Sequence, residues 1–387
     1  MSINKSQYLD ELTKNQKIRS IKINKNLDGS TPPSVFIGHW NYPKVYAGPM
    51  ITPDKGDTSL LDSPETWIQN GKTGKDIFNF RMNLIRGKQL IGIKDLENPY
   101  IEKLQSISLS KYSTDSEATF KKHPTGGGYQ GESEPHGPSA LIKKFDIDEV
   151  RWDKKLEKSY YDTDLKATDA VMAMYNHNVP FSKLQKAFSV GAFGEKQNRK
   201  LVPTRWSITA CDTAISNGLL KEVKYNPTID SYEVYNYSSL GNNFIIILIP
   251  EEWEFEMIET YLKVLNNEKI TFIDHEYNKG KTSYSPLQGA YYAGKLAVLE
   301  HLRKVHRKSG VIIIREIYEN FEPLGVFNVR ENIRIAMSQN PMSFETLKES
   351  LNFANNKLKS STDYYVENSH LLKELFISKQ TTLDAFF

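Results

Sequence analysis

A single cysteine, Cys211, in 387 residues excludes an intramolecular disulfide and any zinc finger or ribbon built on several thiolates. It sits in Trp206-Ser-Ile-Thr-Ala-Cys-Asp212, a stretch that reads as helix, where a small buried hydrophobe is expected rather than a nucleophile. So few thiols fit a reducing cytoplasm. Long apolar runs are missing too. The longest, Phe244–Ile249 and Val311–Ile314, fall far short of the roughly 20 residues that a bilayer span needs. The opening Met1-Ser-Ile-Asn-Lys-Ser6 runs into polar sequence, so no secretory leader is expected. Charge of one sign is scarce, since 50 Lys+Arg stand against 47 Asp+Glu for a net +3. A coat protein for nucleic acid would be more basic, although this balance permits DNA as a partner. No repeat of solenoid length and no low-complexity tract appears.

What remains is an ordinary globular composition, 39% hydrophobic and 25% charged. Val35–Ile37 and Val45–Ala47, each closed by glycine, predict a hairpin or paired edge. Ser63 before Pro64-Glu65 marks a helix start. Ile77, Phe80, Leu84 and Ile85 predict a helix over 76–86. The glycine- and proline-dense residues 123–139 read as a linker or a functional loop. Helices are expected over 165–175, 182–192 and 205–220, then strands over 232–237 and 244–249 around a Gly-Asn-Asn turn. An amphipathic helix over 251–265, a short strand over 271–274, a long helix over 287–305 and a buried strand over 311–317 follow. Helical patterns over 326–337, 344–358 and 371–376 complete the chain. Strands and helices mix without strict βαβ alternation, so the expected class is α+β, or mixed α/β.

Familiar catalytic motifs fail inspection. Gly71-Lys-Thr73 and Gly280-Lys-Thr282 imitate the end of a phosphate-binding loop, but Thr66 and His275 occupy the place of its first glycine. No Gly-x-Ser-x-Gly elbow or His-Glu-x-x-His pair occurs. Asp162, Asp164 and Asp169, with His136 and Glu134 from the glycine-rich stretch, offer oxygen ligands for Mg²⁺ in a metal-dependent nuclease. The competing reading makes Asp162 or Asp164 the cap of the helix that runs to Tyr175. No other cofactor is implied, and catalysis itself stays open. Arg199, Lys200 and Arg205 crowd a helix start, where they oppose the macrodipole and invite either a phosphate or a carboxylate partner. Arg330 and Arg334 share a helix face and face the same choice.

The last eight residues, Gln380-Thr-Thr-Leu-Asp-Ala-Phe-Phe387, carry the clearest signal. Within one 3₁₀ turn Leu383 and Phe386 project to the same side, with Phe387 beside them. They form an apolar plug, and the Gln380 amide one turn upstream can both donate and accept. An apolar cluster at a polar chain end reads as a docking peptide. The pattern resembles the PIP box, the peptide that binds the DNA sliding clamp PCNA. That resemblance implies Gln380, Leu383, Phe386 and Phe387 as the clamp contacts.

The body resembles the archaeal Nre family of DNA repair proteins. The resemblance rests on Ser34–Pro49, Asp57–Trp67, Pro135-His-Gly-Pro-Ser139, Asp162–Ala167, Leu201–Ala210, Gly289-Ala-Tyr-Tyr-Ala293, Arg315-Glu-Ile317 and Gly325–Glu331. It implies a cytoplasmic repair factor, with the clamp and DNA as partners and no membrane. It also implies N- and C-terminal family regions over 31–285 and 286–363, between a polar, lysine-rich arm at 1–30 and a tail at 364–387 that composition marks off. Family members often begin with a four-cysteine zinc cluster. This chain has no cysteine there, so that DNA contact is not carried over.

Overall fold

A computed structural model describes residues 4–14, 23–131 and 133–376. In chain order the elements begin with α1 (Lys5–Lys14), β1 (Asn26–Thr31), β2 (Val35–Ile37), β3 (Lys44–Ile51), α2 (Pro64–Trp67), α3 (Gly74–Met82), β4 (Ile85–Gly92) and α4 (Pro99–Leu109). Next come β5 (Thr114–Phe120), β6 (Gly128–Gln130), β7 (Ser133–His136), β8 (Ser139–Ile147), α5 (Lys154–Tyr161), α6 (Ala167–Asn176), α7 (Phe181–Ser189) and α8 (Thr204–Val223). The remainder is β9 (Tyr232–Ser239), β10 (Asn242–Ile249), β11 (Phe255–Leu262), β12 (Lys269–Glu276), α9 (Gly289–Val305), β13 (Gly310–Ile317), α10 (Phe327–Met337), β14 (Met342–Phe344), α11 (Leu347–Asn355) and α12 (Thr362–Asn368). The mixed α+β class is the observed one. The chain divides into two units, one of residues 13–215 with 323–325, the other holding 216–322, the segment from 326 onward and the first twelve residues.

In the unit of residues 13–215 a six-stranded sheet runs β1-β5-β8-β4-β3-β2. Its strands are antiparallel except for the β4–β8 pair. The two expected strands do pair, as β2 against β3, with residues 35–37 opposite 47–49 rather than 45–47. Residues 123–131 and 133–139 belong to this unit rather than to a linker between units. They form the small β6–β7 hairpin, closed at its base by the Thr125–Ser139 bridge. The predicted helix over 76–86 stops at Met82, and Ile85 and Arg86 already belong to β4. Thr73 opens that helix with a capping box to Asp76.

The other unit is built on a second six-stranded sheet, β12-β11-β13-β10-β9-β14. Its central strands β10 and β13 are buried along their whole length. This explains their unbroken β-branched runs, because a strand covered on both faces has no polar alternation. On one face, Ile245, Ile247, Ile312 and Ile314 pack with Leu347, Leu351, Tyr365 and Leu372. On the other, Gly294 of α9 lies so close to Met257, Ile313 and Ile333 that an added Cβ would sit 3.2–3.4 Å from them. The β9–β10 turn is Leu240-Gly241, both at positive φ. Asn242 and Asn243, expected in the turn, are the first residues of β10.

Residues 251–265 contain a strand, β11, where a helix was expected. The acidic side chains that imitate a helix's polar face are buried and answered. Glu256 accepts from the amides of His370 and Leu371 at 2.7 and 3.3 Å. Glu259 meets Lys5 at 2.6 Å and Arg315 at 2.5 Å. Tertiary pairing has overridden local periodicity. Lys5 belongs to the stretch read as a polar arm, yet α1 is docked in this unit, with the Tyr8 ring edge-on to Tyr261 at 4.8 Å.

Candidate functional site

In the unit of residues 13–215, buried charge collects around α3, β4 and the β6–β7 hairpin. Asp62 closes the 3₁₀ turn Ser59–Asp62 and is 7% exposed. Its carboxylate accepts from Ser34 Oγ and pairs with both Arg81 of α3 and Lys186 of α7. Burial, the largest single influence, pushes that carboxyl up, but Arg81 and Lys186 outweigh it and hold Asp62 well below the usual carboxylate range. The second arm of Arg81 meets Glu134 at 2.9 Å, and its Nε donates to the Pro135 carbonyl at 3.2 Å. Burial raises Glu134 against the pull of Arg81.

Arg86 on β4 differs from these groups. It is 8% exposed, its guanidinium carbon lies 4.0 Å from the Phe36 ring centre, and its Nε has no hydrogen-bond partner. No carboxylate among the described residues pairs with it. Burial first, then the neighbouring Arg81, pushes it down to about 9. Lys88, on the same face two residues along the strand, is half-buried, with its Nζ 5.7 Å from the Tyr46 ring.

His136 ends β7 beside Arg86. Its Nδ1 donates to the Gly137 carbonyl at 3.0 Å, which leaves Nε2 bare in the neutral ring. Burial first, then the Arg86 charge, pushes its pKa down to about 4 from 6.5. The unfolded chain therefore takes up a proton below pH 6.5, while the folded imidazole does not until about pH 4. Stability is drained as pH falls through that window, by about 3 kcal/mol in all. His136→Gln should lack this slope. Urea unfolding at pH 7 and pH 4.5 checks it, and parallel losses in the two proteins would refute it.

The other residues singled out in the sequence lie elsewhere. Arg199 lines an open cleft of about 770 Å³ with Lys94, Asp95, Tyr160, Tyr161 and Lys196. Its guanidinium donates to the carbonyls of Gly194, Tyr160 and Asp162 at 2.7, 2.8 and 2.6 Å, and so braces the cleft wall. Lys200 is exposed. Arg205 stands in the first turn of α8, where its charge, after burial, lowers His39. Arg330 is buried in α10. Arg334 is neutralised by Glu300, at 2.7 Å to each oxygen, and by Glu331 at 2.8 Å. Asp162 follows α5 and accepts from the Leu165 amide at 3.1 Å, while Asp164 is exposed. Neither caps the helix to Tyr175, because Lys166 stands at that N-cap. Nor does the structure gather them with His136. Among the described residues no three His, Cys, Asp or Glu side chains are placed to hold a metal ion. Gln380, Leu383, Phe386 and Phe387 lie outside the described residues.

The family description "Archaeal Nre, N-terminal" matches residues 4–265, and "Archaeal Nre, C-terminal" matches residues 276–386. The chain belongs to the archaeal Nre family. Among Nre relatives, the DNA repair protein NreB of Archaeoglobus fulgidus is 35% identical over 373 residues, 95% of this chain and 93% of its own. The DNA repair protein NreA of the same organism is 34% identical over 383 residues, 97% and 94% of the two chains. NreA of Haloferax volcanii is 30% identical over 343 residues, 84% and 81% of the two chains. No solved structure matches this Nre chain. Sequence reasoning missed the Nre chain's Arg81, Arg86 and Lys186, which fall within stretches expected to be helical, 76–86 and 182–192. The available signal was the Pro135–Ser139 motif, with an ionisable His136 between two prolines and a glycine.

Proposed function

We propose that this protein is a DNA repair factor carried to its substrate by the sliding clamp PCNA, with its last eight residues as the docking peptide. The observation that carries this reading is the terminal pattern Gln380, Leu383, Phe386 and Phe387. Relatives named as DNA repair proteins, matched over most of the chain, support the process. Tethering raises the effective concentration of the body on DNA, so a net charge of +3 is enough for a factor that needs only modest affinity of its own. A place in the cytoplasm accords with the single cysteine.

Calorimetric titration of the full chain into an archaeal clamp should give micromolar or tighter binding. A chain ending at Lys379 should give no measurable heat. Binding that survives the truncation would overturn the docking reading while leaving the repair reading to the relatives.

A further inference from the structure

We propose that Arg86, with Lys88 at its rim, forms a receptor for a phosphoryl group. The charge count motivates it. Arg81, Arg86 and Lys186 are three buried cations, and Asp62 and Glu134 are the two carboxylates among them. Both carboxylates are committed to Arg81 and Lys186, so the surplus charge belongs to Arg86. A buried guanidinium with an unanswered Nε is a standing cost to the fold. A ligand supplying acceptor oxygens removes that cost on binding.

The chemistry favours a phosphoryl group. The planar guanidinium fork matches phosphate oxygens in a bidentate way. One deep cation and a second, shallower one on the same strand face suit a dianion better than a single carboxylate. Neutral His136 adds no competing charge beside Arg86. The rings of Phe36 and Tyr46 lie against these cations and offer apolar faces to whatever carries the phosphate. At 8% exposure Arg86 favours a terminal phosphate over one inside a continuous duplex. The terminal phosphate has two possible carriers, a DNA strand end or a mononucleotide. The choice of the strand end rests on the DNA repair reading.

The test compares inorganic phosphate, thymidine 5′-monophosphate and a short single-stranded oligonucleotide carrying a 5′-phosphate, a 3′-phosphate or neither. Thermal shift and calorimetry are read for the wild type, Arg86→Met and Lys88→Gln. At least one phosphorylated oligonucleotide should bind about tenfold or more tightly than the unphosphorylated one, and Arg86→Met should erase that preference. Lys88→Gln should weaken it several-fold at unchanged melting temperature. Without ligand, Arg86→Met should melt no lower than the wild type, because it removes an unanswered charge. Thymidine monophosphate binding as tightly as the oligonucleotide would uphold the receptor and assign it to nucleotides. Equal binding of phosphorylated and unphosphorylated DNA, with no response to phosphate or nucleotide, would overturn it. So would a preference undiminished in either variant. A ligand-free Arg86→Met that melts well below the wild type would also overturn it, by making Arg86 a structural residue. None of these outcomes touches clamp binding, so failure here and failure of the docking reading are told apart by the titration of the truncated chain.

Discussion

Asp62→Asn should destabilise the protein by about 3–5 kcal/mol, because it leaves buried Lys186 without a carboxylate and takes from Arg81 one of its two. Arg81 and Lys186 both pair with this carboxylate, and among the described residues Lys186 otherwise donates only to the Asp62 carbonyl, at 3.2 Å. Arg81 would keep Glu134, so the loss is concentrated on Lys186. Against a total of roughly 5–15 kcal/mol for a folded domain, this is a large fraction. Denaturant unfolding at pH 7 measures it, and a change under about 1 kcal/mol would show that water reaches these groups. Pairing Asp62→Asn with Lys186→Met should recover part of the loss, since the second change removes the stranded charge.

Gly137→Ala is expected to be comparably severe for a different reason. A Cβ at position 137 would lie 2.2 Å from the Leu84 carbonyl oxygen, 2.8 Å from that of Met82 and 3.0 Å from that of Arg81. These are backbone atoms at the end of α3 and cannot rotate away. The Pro135–Ser139 segment would have to lift off the helix, taking the Arg81–Pro135 bond and the His136 ring with it. A loss of about 2–4 kcal/mol follows from overpacking combined with a broken buried polar cluster. The measurement is the urea midpoint, and an unchanged midpoint would mean that the segment accommodates a methyl group.

The sequence was most legible where one local rule acted without competition. The isoleucine runs of β10 and β13 could only be buried strands, and the proline behind Ser63 could only open a helix. It was least legible where a distant partner decided. Residues 255–262 carry acidic side chains at spacings that fit a helix, and only Lys5, Arg315 and the amides near 370 make a strand of them. The charge cluster was hidden for the same reason. Arg81 and Arg86 lie five residues apart in what reads as one helix, but the chain turns at Asn83, so one cation faces carboxylates and the other an aromatic ring. The motif around His136 was visible as composition. Its geometry was not, because the glycine there answers to the carbonyls of Arg81, Met82 and Leu84, more than fifty positions earlier in the chain.

The carboxylates inside the second sheet also set a length scale. Glu316 accepts from the amides of Lys359 and Ser360 at 2.8 Å each, and Glu256 accepts from those of His370 and Leu371. The incoming chain is thus moored twice to central strands, and helical residues 371–376 bury Leu371, Leu372 and Leu375. From Phe376 to Gln380 there are four peptide steps, which reach at most about 14 Å when fully extended. If a clamp grips Gln380, Phe376 is held within about 14 Å of that grip, so the folded body sits on a short leash rather than at the end of a long tether. Lengthening that leash with a flexible insert after Phe376 would leave the grip intact and dilute the body's presence on DNA.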